Sequence, residues 1–298
     1  MLELSIITVN YNGLRDTREF IRSVLSLELP FSHELIVVDN GSDENEAAIL
    51  LNEFPSILTI RSDSNLGFAG GNNLGIANSS GSYLFLLNND TLLPEASSEG
   101  IGAMISFLHN NPRVGGLSPR LKYTDSKNLI QFAGSTLLSS ITLRNRQIGY
   151  QQDDKGQHND IQPIPYLHGA AMMLSRTVVE EVGLIPECYF LYYEEMDWSR
   201  QIRQKYMLYY YPDVTVYHKE SSTIGIGSPL KAFYMSRSRL LYAYRNRKGL
   251  VRLASIAYLL LIAVPLNVFR YIRRGNRKQA IAVIKGAFSF FMIRDKLK

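Results

Sequence analysis

The sequence predicts an α/β fold with a doubly wound sheet, and three observations predict it. Apolar runs of strand length alternate with segments of helical period through the N-terminal third of the chain. The runs Ile36-Val37-Val38 and Tyr83-Leu84-Phe85-Leu86-Leu87 have no polar alternation, which marks strands covered on both faces. Each run ends at Asn, Asp or Gly, so polar loops collect along the sheet edge where open α/β sheets take ligands.

Taken in order, residues 4–9 form a first strand that stops at Asn10-Tyr11-Asn12-Gly13. Residues 16–27 have a helical period, with Phe20, Ile21, Val24, Leu25 and Leu27 apolar. A second strand over 34–39 ends at Asp39, a helix follows over 44–54, and 58–61 is a third strand. Residues 67–76 are glycine-rich and lead into a short helix, a backbone that allows close approach to a nucleotide. They are not the dinucleotide fingerprint, because the G-x-G start is missing and the segment follows the third strand. After the strand 83–87, residues 95–110 read as a helix stopped by Asn111-Pro112, and 114–121 as a strand. Residues 122–163 read as loops with a hairpin near 141–150, where Arg144 and Arg146 face either a substrate phosphate or solvent. Residues 166–174 are a buried strand and 175–182 a helix ended by Gly183. A further helix opens near Asp197, and strands over 209–212 and 214–217 lead to His218. No internal repeat is visible.

A length of 298 residues allows one large or two small domains, and 46% hydrophobic with 20% charged residues describes a globular chain. One cysteine, Cys188, excludes a disulfide framework and fits a reducing compartment. No signal peptide is expected, since Glu3 and Asn10 interrupt the first apolar run. The net charge of +5 conceals an asymmetry: residues 230–298 hold 16 Lys and Arg against Asp295 alone. A basic tail on an acidic body implies an anionic surface as partner. Within that tail, residues 253–269 carry no formal charge and are bracketed by Arg252 and by Arg270, Arg273 and Arg274, and 280–293 are apolar apart from Lys285. Both read as helices lying on or dipping into a membrane face, with a spanning anchor left open and a core hairpin or a dimer contact as the plainer alternatives. The apolar runs favour lipid over nucleic acid.

Four polar clusters at strand ends supply what nucleotide-dependent group transfer needs. Asn88-Asn89-Asp90 offers one carboxylate to a hard cation already carrying diphosphate oxygens, or else a simple Asx turn. Asp39 suits a base N–H or a ribose hydroxyl, or a turn cap. Glu194-Glu195-Met196-Asp197 follows five apolar or aromatic residues, a setting that raises carboxylate pKa values and suits a general base; the plain alternative is an acidic helix start. His218 is a second metal ligand or a structural histidine.

In series, several segments resemble the inverting family 2 glycosyltransferases, especially their rhamnosyltransferase-like branch. They are Ser5-Ile6-Ile7-Thr8-Val9-Asn10-Tyr11-Asn12, Ile36-Val37-Val38-Asp39-Asn40-Gly41-Ser42, 65–75, Leu86-Leu87-Asn88-Asn89-Asp90, 169–173, 190–197 and Val216-Tyr217-His218. The resemblance covers roughly residues 1–225 and implies a GT-A fold: a mixed sheet whose Rossmann-like nucleotide-sugar half, 1–115, is fused to an acceptor and catalytic-base half, 116–225. Residues 226–298 would be a membrane-associating tail. It further implies nucleotide contacts at Thr8, Asn10, Asp39, Asn72, Asn88 and Asn89, and Mg²⁺ or Mn²⁺ at Asp90 and His218. The base falls on Glu195, with Glu194 and Asp197 as alternatives. Asn88 and Glu195 stand where the family pattern usually has Asp. The implied partners are a nucleoside diphosphate sugar, dTDP-rhamnose or a UDP-sugar, and a glycan or polyprenyl-diphosphate-linked acceptor, met at the cytoplasmic face of a bacterial inner membrane. Those departures keep a degenerate binding or scaffolding protein as the alternative.

Overall fold

The computed structural model describes residues 3–126, 128–219 and 228–294. The boundary expected near 225–226 lies outside them. The N-terminal half is β1 (Leu4–Asn10), α1 (Leu14–Leu25), β2 (His33–Asp39), α2 (Glu46–Glu53), β3 (Leu58–Arg61), α3 (Gly67–Ala77), β4 (Tyr83–Leu87), β5 (Thr91–Leu92) and α4 (Ser97–Asn110). There follow β6 (Val114–Tyr123), β7 (Leu129–Phe132), β8 (Gln152–Asp153), β9 (Gln162–Pro163), β10 (Ala171–Ser175), α5 (Arg176–Val182), α6 (Glu194–Ile202) and β11 (Met207–His218). The chain closes with α7 (Pro229–Asn246), α8 (Gly249–Tyr258), α9 (Val264–Arg273) and α10 (Arg277–Arg294).

One sheet runs β3-β2-β1-β4-β10-β6-β11-β5, with β7, β8 and β9 attached beside β6 and β11. The β3-β2-β1-β4 half is parallel, as expected from strands linked by helical crossovers. β10 is antiparallel to both β4 and β6, which makes the sheet mixed. Side chains alternate along β1 and divide the helices between the two faces. Asn10 meets Thr17 of α1 and Glu46 of α2 on one face. Ile7 and Val9 meet α3 on the other, at Gly75 and Gly71, where an added Cβ would lie 2.4 and 2.7 Å from their side chains. Gly71 and Gly75 thus serve the packing of helix on sheet, and there the expectation of room for a nucleotide gives way to that contact. Gly67 instead meets the backbone of Phe190 and borders the cleft at the carboxyl edge of β1 and β4.

Two further expectations are corrected. The strands read over 209–212 and 214–217 are one strand, β11, whose register against β6 shifts between Tyr211 and Thr215. Pro212 has no N–H to give the ladder, so a bulge there costs nothing extra. The hairpin expected at 141–150 is the tip of a longer one: β7 pairs with β8, and backbone bonds join Ala133 to Ile148, Thr136 to Arg146 and Ser139 to Arg144.

The C-terminal helices form a layer against the body. Among the described residues, one continuous helix, Gly249–Arg273, is long and apolar enough to cross a bilayer. It comprises α8, a π-turn over Leu259–Ala263, and α9. Pro265 lacks the N–H that an α-turn would use, and the wider turn accommodates it. One stripe of this helix, through Ser255, Leu259, Ala263, Val264, Val268 and Tyr271, faces inward, its α8 part against α7 and its α9 part against α10. The opposite stripe, including Leu253 (63% exposed), Leu261 (75%) and Phe269 (57%), is bare. Helix α7 belongs to the body, although the expected tail begins before it: Ser238 Oγ donates to Leu191 O at 2.8 Å, and Arg237 donates to Tyr189 O.

Candidate active site

A cleft of about 570 Å³ opens at the carboxyl edge of β1 and β4. Its walls include Tyr11, Asn40, Asn65, Phe68, Asn88, Asn89, Asp90, Gln131, His168, Glu194, Glu195, His218 and, from α7, Lys231 and Met235.

Asp90 and His218 are brought together by pairing of β5 with the end of β11, where His218 lies opposite Thr91. His218 Nε2 stands 3.1 Å from Asp90 Oδ1, and its Nδ1 lies 2.8 Å from Gln131 Oε1. With Nδ1–H donating to that amide oxygen, the Nε2 lone pair faces a carboxylate oxygen. Two acceptors at that distance need a proton or a cation between them. Adjacent ligands of an octahedral cation with bonds of about 2.0–2.1 Å are themselves about 3 Å apart. An outward N–H held by an amide oxygen is also the usual support of a metal-ligating imidazole. The pair therefore fits a divalent cation that would take its remaining ligands from outside these two side chains. No group of three His, Cys, Asp or Glu gathers among the described residues, so the protein alone supplies two ligands.

Glu194 and Glu195 open α6. Helix formation begins here, three residues earlier than the expected start at Asp197. The turn before it holds Phe190, Tyr192 and Tyr193 at φ of 68°, 65° and 74°. Bulky residues avoid this left-handed region, and such strain persists only when neighbours impose it. The neighbours are α3 and α7. Phe68 N–H donates to Phe190 O at 2.8 Å, and a Cβ on Gly67 would lie 2.4 Å from that same oxygen. Arg237, stacked 4.5 Å over the Tyr234 ring, and Ser238 hold the turn from the other side. Burial pushes the Glu195 carboxyl up to about 7, against the pull of amide N–H groups at the helix start. Burial and the adjoining Glu195 charge push Glu194 well above the ordinary range. Burial and the nearby His218 ring hold His168 down to about 3, so its imidazole is neutral.

Other expected site residues lie elsewhere. Asp197 does not border the cleft; its carboxylate accepts from Tyr189 O–H at 2.7 Å, Arg245 at 2.8 Å and Gln201 at 3.2 Å, which removes it as a base. Asp39 is wholly buried and accepts from Ser42 N–H, Ala47 N–H and Arg61. Asn10 bonds to Thr17 and Glu46. Thr8 and Asn10 face away from the cleft because β1 turns alternate side chains to opposite faces, and Asp39 lies beside Asn10 in register. Asn72 donates to Phe68 O within α3. Thr8, Asn10, Asp39 and Asn72 are not on the cleft wall; Tyr11, Asn40 and Asn65 border it, Asn40 with its amide bonded to Asn65, Gly67 O and Leu66 N–H. Asn88 and Asn89 do line it. Arg144 and Arg146 are not on its wall. Among the residues that sequence reasoning missed, His168 and Asn40 adjoin motifs already singled out. Gln131 and Lys231 carry no local signal.

The family model of Glycosyl transferase family 2 matches residues 5–183. The chain is 28% identical over 211 residues to the low-salt glycan biosynthesis hexosyltransferase Agl10 of Haloferax volcanii, covering 68% of this chain and 62% of that one. It is 22% identical over 244 residues to the N-acetylglucosaminyl-diphospho-decaprenol L-rhamnosyltransferase of Mycobacterium tuberculosis, covering 74% of this chain and 78% of that one. It thus spans less than two thirds of the Haloferax protein's length. Among solved structures, the mannosyltransferase PcManGT of Pyrobaculum calidifontis, in complex with GDP-Man and Mn²⁺, superposes with a TM-score of 0.58 at 15% identity, covering 97% of this chain and 87% of that one. GalNAc-T7 with UDP, GalNAc and Mn²⁺ gives 0.61 at 12% identity, covering 86% and 54%. These likenesses bear on the fold, a GT-A-like mixed sheet.

Proposed function

This chain belongs to glycosyl transferase family 2, and on that premise we propose that it is an inverting glycosyltransferase. It moves a sugar from a nucleoside diphosphate sugar to a hydroxyl of a lipid-linked or growing cell-surface glycan. The observation that carries this reading is the meeting, on one cleft wall, of the Asp90–His218 pair and the raised carboxyl of Glu195.

Glu195, when ionised, takes the proton of the acceptor hydroxyl. The hydroxyl oxygen bonds to the anomeric carbon as the bond from that carbon to the diphosphate breaks, and the configuration inverts. The bonding pair leaves with the nucleoside diphosphate. A divalent cation, Mg²⁺ or Mn²⁺, held by Asp90 and His218 would neutralise charge on the leaving diphosphate. Gln131 keeps His218 in its ligating tautomer. Burial and the Glu195 charge favour the neutral form of Glu194, which limits negative charge beside the base. Tyr11, Asn40 and Asn65 stand where they can meet the nucleoside. Residues 1–115 then serve the donor and 116–225 the acceptor and base.

A thymidine or uridine diphosphate sugar is the donor class we favour, with rhamnose first. The acceptor class is a polyprenyl-diphosphate-linked glycan, which suits a chain docked at the cytoplasmic face of a bacterial inner membrane. The bare stripe of Gly249–Arg273 supports docking. That helix is tied to the body at Ser255, whose Oγ donates to Ile141 O at 2.7 Å, and to α10 as far as Tyr271. A helix held along its length lies in the membrane plane.

The test is calorimetric titration of uridine, thymidine and guanosine diphosphate sugars with Mn²⁺ or Mg²⁺, repeated with chelator. Metal-dependent binding of one donor, lost in Asp90→Ala, is the expected result. Folded protein that binds no donor of the panel would favour the degenerate binding-protein alternative.

A further inference from the structure

A second cavity, of about 500 Å³, shares no lining residue with the active-site cleft. It lies between the rear of α6 and the junction of α7 with α8. Four cationic side chains border it, Arg200, Arg245, Lys248 and Arg252, against one carboxylate, Asp197. Arg245 is already paired with that carboxylate at 2.8 Å. Arg200, Lys248 and Arg252 make no salt bridge among the described residues. Arg252 is nonetheless fixed, donating through Nε to Arg247 O at 2.8 Å and stacking over Tyr244 at 5.3 Å. Asn246 also borders the cavity, and its buried Nδ2 has no acceptor among the described residues.

Clustered cations repel one another and lower stability unless an anion is bound, and a buried amide donor without an acceptor costs further free energy. Planar guanidinium forks with an ammonium and an amide donor suit the oxygens of a phosphate. The cavity is too polar for an acyl chain or a sugar ring stacked on aromatics. Beside it, Leu250 (84% exposed) and Leu253 (63%) begin the bare apolar stripe. The cavity's Lys248 and Arg252 and the first side chains of that stripe thus belong to the same end of the helix. We infer that this cavity is a binding site for the phosphate headgroup of an anionic membrane lipid, separate from donor and acceptor binding. The site sets the depth and rotation at which the enzyme docks. It rests on the membrane-facing reading of α8 and α9.

The experiment is flotation of the full-length chain with vesicles of phosphatidylcholine alone and of phosphatidylcholine mixed with phosphatidylglycerol. Three proteins are compared: wild type, the cavity pair Arg200→Gln with Lys248→Gln, and a charge-matched pair, Arg273→Gln with Arg274→Gln, at the far end of the same helix. The cavity pair should lose about tenfold or more of the preference for anionic vesicles, because the seated phosphate would lose two direct charge-assisted partners and not only general attraction to the surface. It should keep its binding to neutral vesicles, and its thermal unfolding midpoint should hold or rise, since two mutually repelling charges are gone. The matched pair should keep most of the preference. Equal loss in both pairs, or no loss in the cavity pair, overturns the site while leaving membrane docking intact. Wild-type protein that binds neither vesicle overturns docking and the site together. Calorimetry with inorganic phosphate separates the sources: tight phosphate binding that the cavity pair abolishes, with anionic preference unaltered, would make this a free-anion site and overturn the lipid assignment.

Discussion

Glu195 owes its chemistry to the first turn of α6 and to the burial of that turn. With its carboxyl near 7, the group is half ionised at neutral pH and able to accept a proton. Below that value kcat/KM should fall about tenfold per pH unit, since only the ionised form is a base. In Glu195→Gln, transfer should drop by about 10²–10⁴ and lose this acid limb, while donor binding persists. Near wild-type turnover would remove Glu195 from the mechanism. A stability measurement gives an independent check. The carboxyl releases its proton near the model-compound value of 4.5 when unfolded and near 7 when folded, so the folded state binds the proton more tightly. Stability from this group is therefore present below 4.5 and is lost as pH rises towards 7. The melting temperature of Glu195→Gln relative to wild type should accordingly increase across that window, and a difference independent of pH would contradict the raised carboxyl.

The turn over 190–193 and the helices that grip it act as one element. Gly67 at φ 74° and the backbone of Phe190 are in direct contact, so no side chain fits between α3 and the turn. Gly67→Ala adds left-handed strain and a clash, and should destabilise by roughly 2 kcal/mol. Its kcat should fall and its donor KM should rise, because Gly67 touches the turn that leads to the base and also hydrogen-bonds Asn40 and Asn65 on the nucleoside side. Circular-dichroism melting and steady-state kinetics measure both. Arg237 grips the other side from within α7, which makes α7 a wall of the active site as well as the floor of the membrane-facing layer. α10 in turn lies against α7 through Gly286, where an added Cβ would meet Phe233 O at 2.2 Å. Gly286→Val should therefore loosen α10 from α7 and lower the melting temperature, although it lies far from any reacting atom.

At the scale of the molecule, the docking layer and the catalytic body share a core. Leu240, Leu241, Leu259, Ala263 and Phe290 are buried together. Deleting the chain after residue 246 would uncover α7, so loss of activity on truncation would say little about the membrane. Substitution on the bare stripe is the cleaner probe. The triple variant Leu253→Glu, Leu261→Glu and Phe269→Glu removes three exposed apolar side chains that touch no core. With each worth about 1.5 kcal/mol on burial, partition onto vesicles should fall on the order of 10³. Thermal stability should hold. Vesicle binding equal to wild type would return the layer to a role in dimer contact.

The sequence by itself determined the alternation of β1 to β4 with their helices, the turn that ends at Asp90, the acidic cluster and the apolar tail. These are local signals: a buried strand is written as an apolar run, and a turn as small polar residues. Only the tertiary structure decided which of the marked residues meet. Asp90 and His218 are 128 positions apart and become neighbours through the pairing of β5 with β11. Thr8 and Asn10 end on the wrong face because a strand reverses direction at every residue, and a one-residue difference in phase is invisible to a motif. Asp197 has the right type and the wrong neighbours, since Tyr189 and Arg245 take up its oxygens. Gln131 and Lys231 carry no signal at all, and their places on the cleft wall follow from long-range packing. Composition fixes which surfaces a chain must bury; the pairing of distant segments decides which polar groups are left facing the cleft.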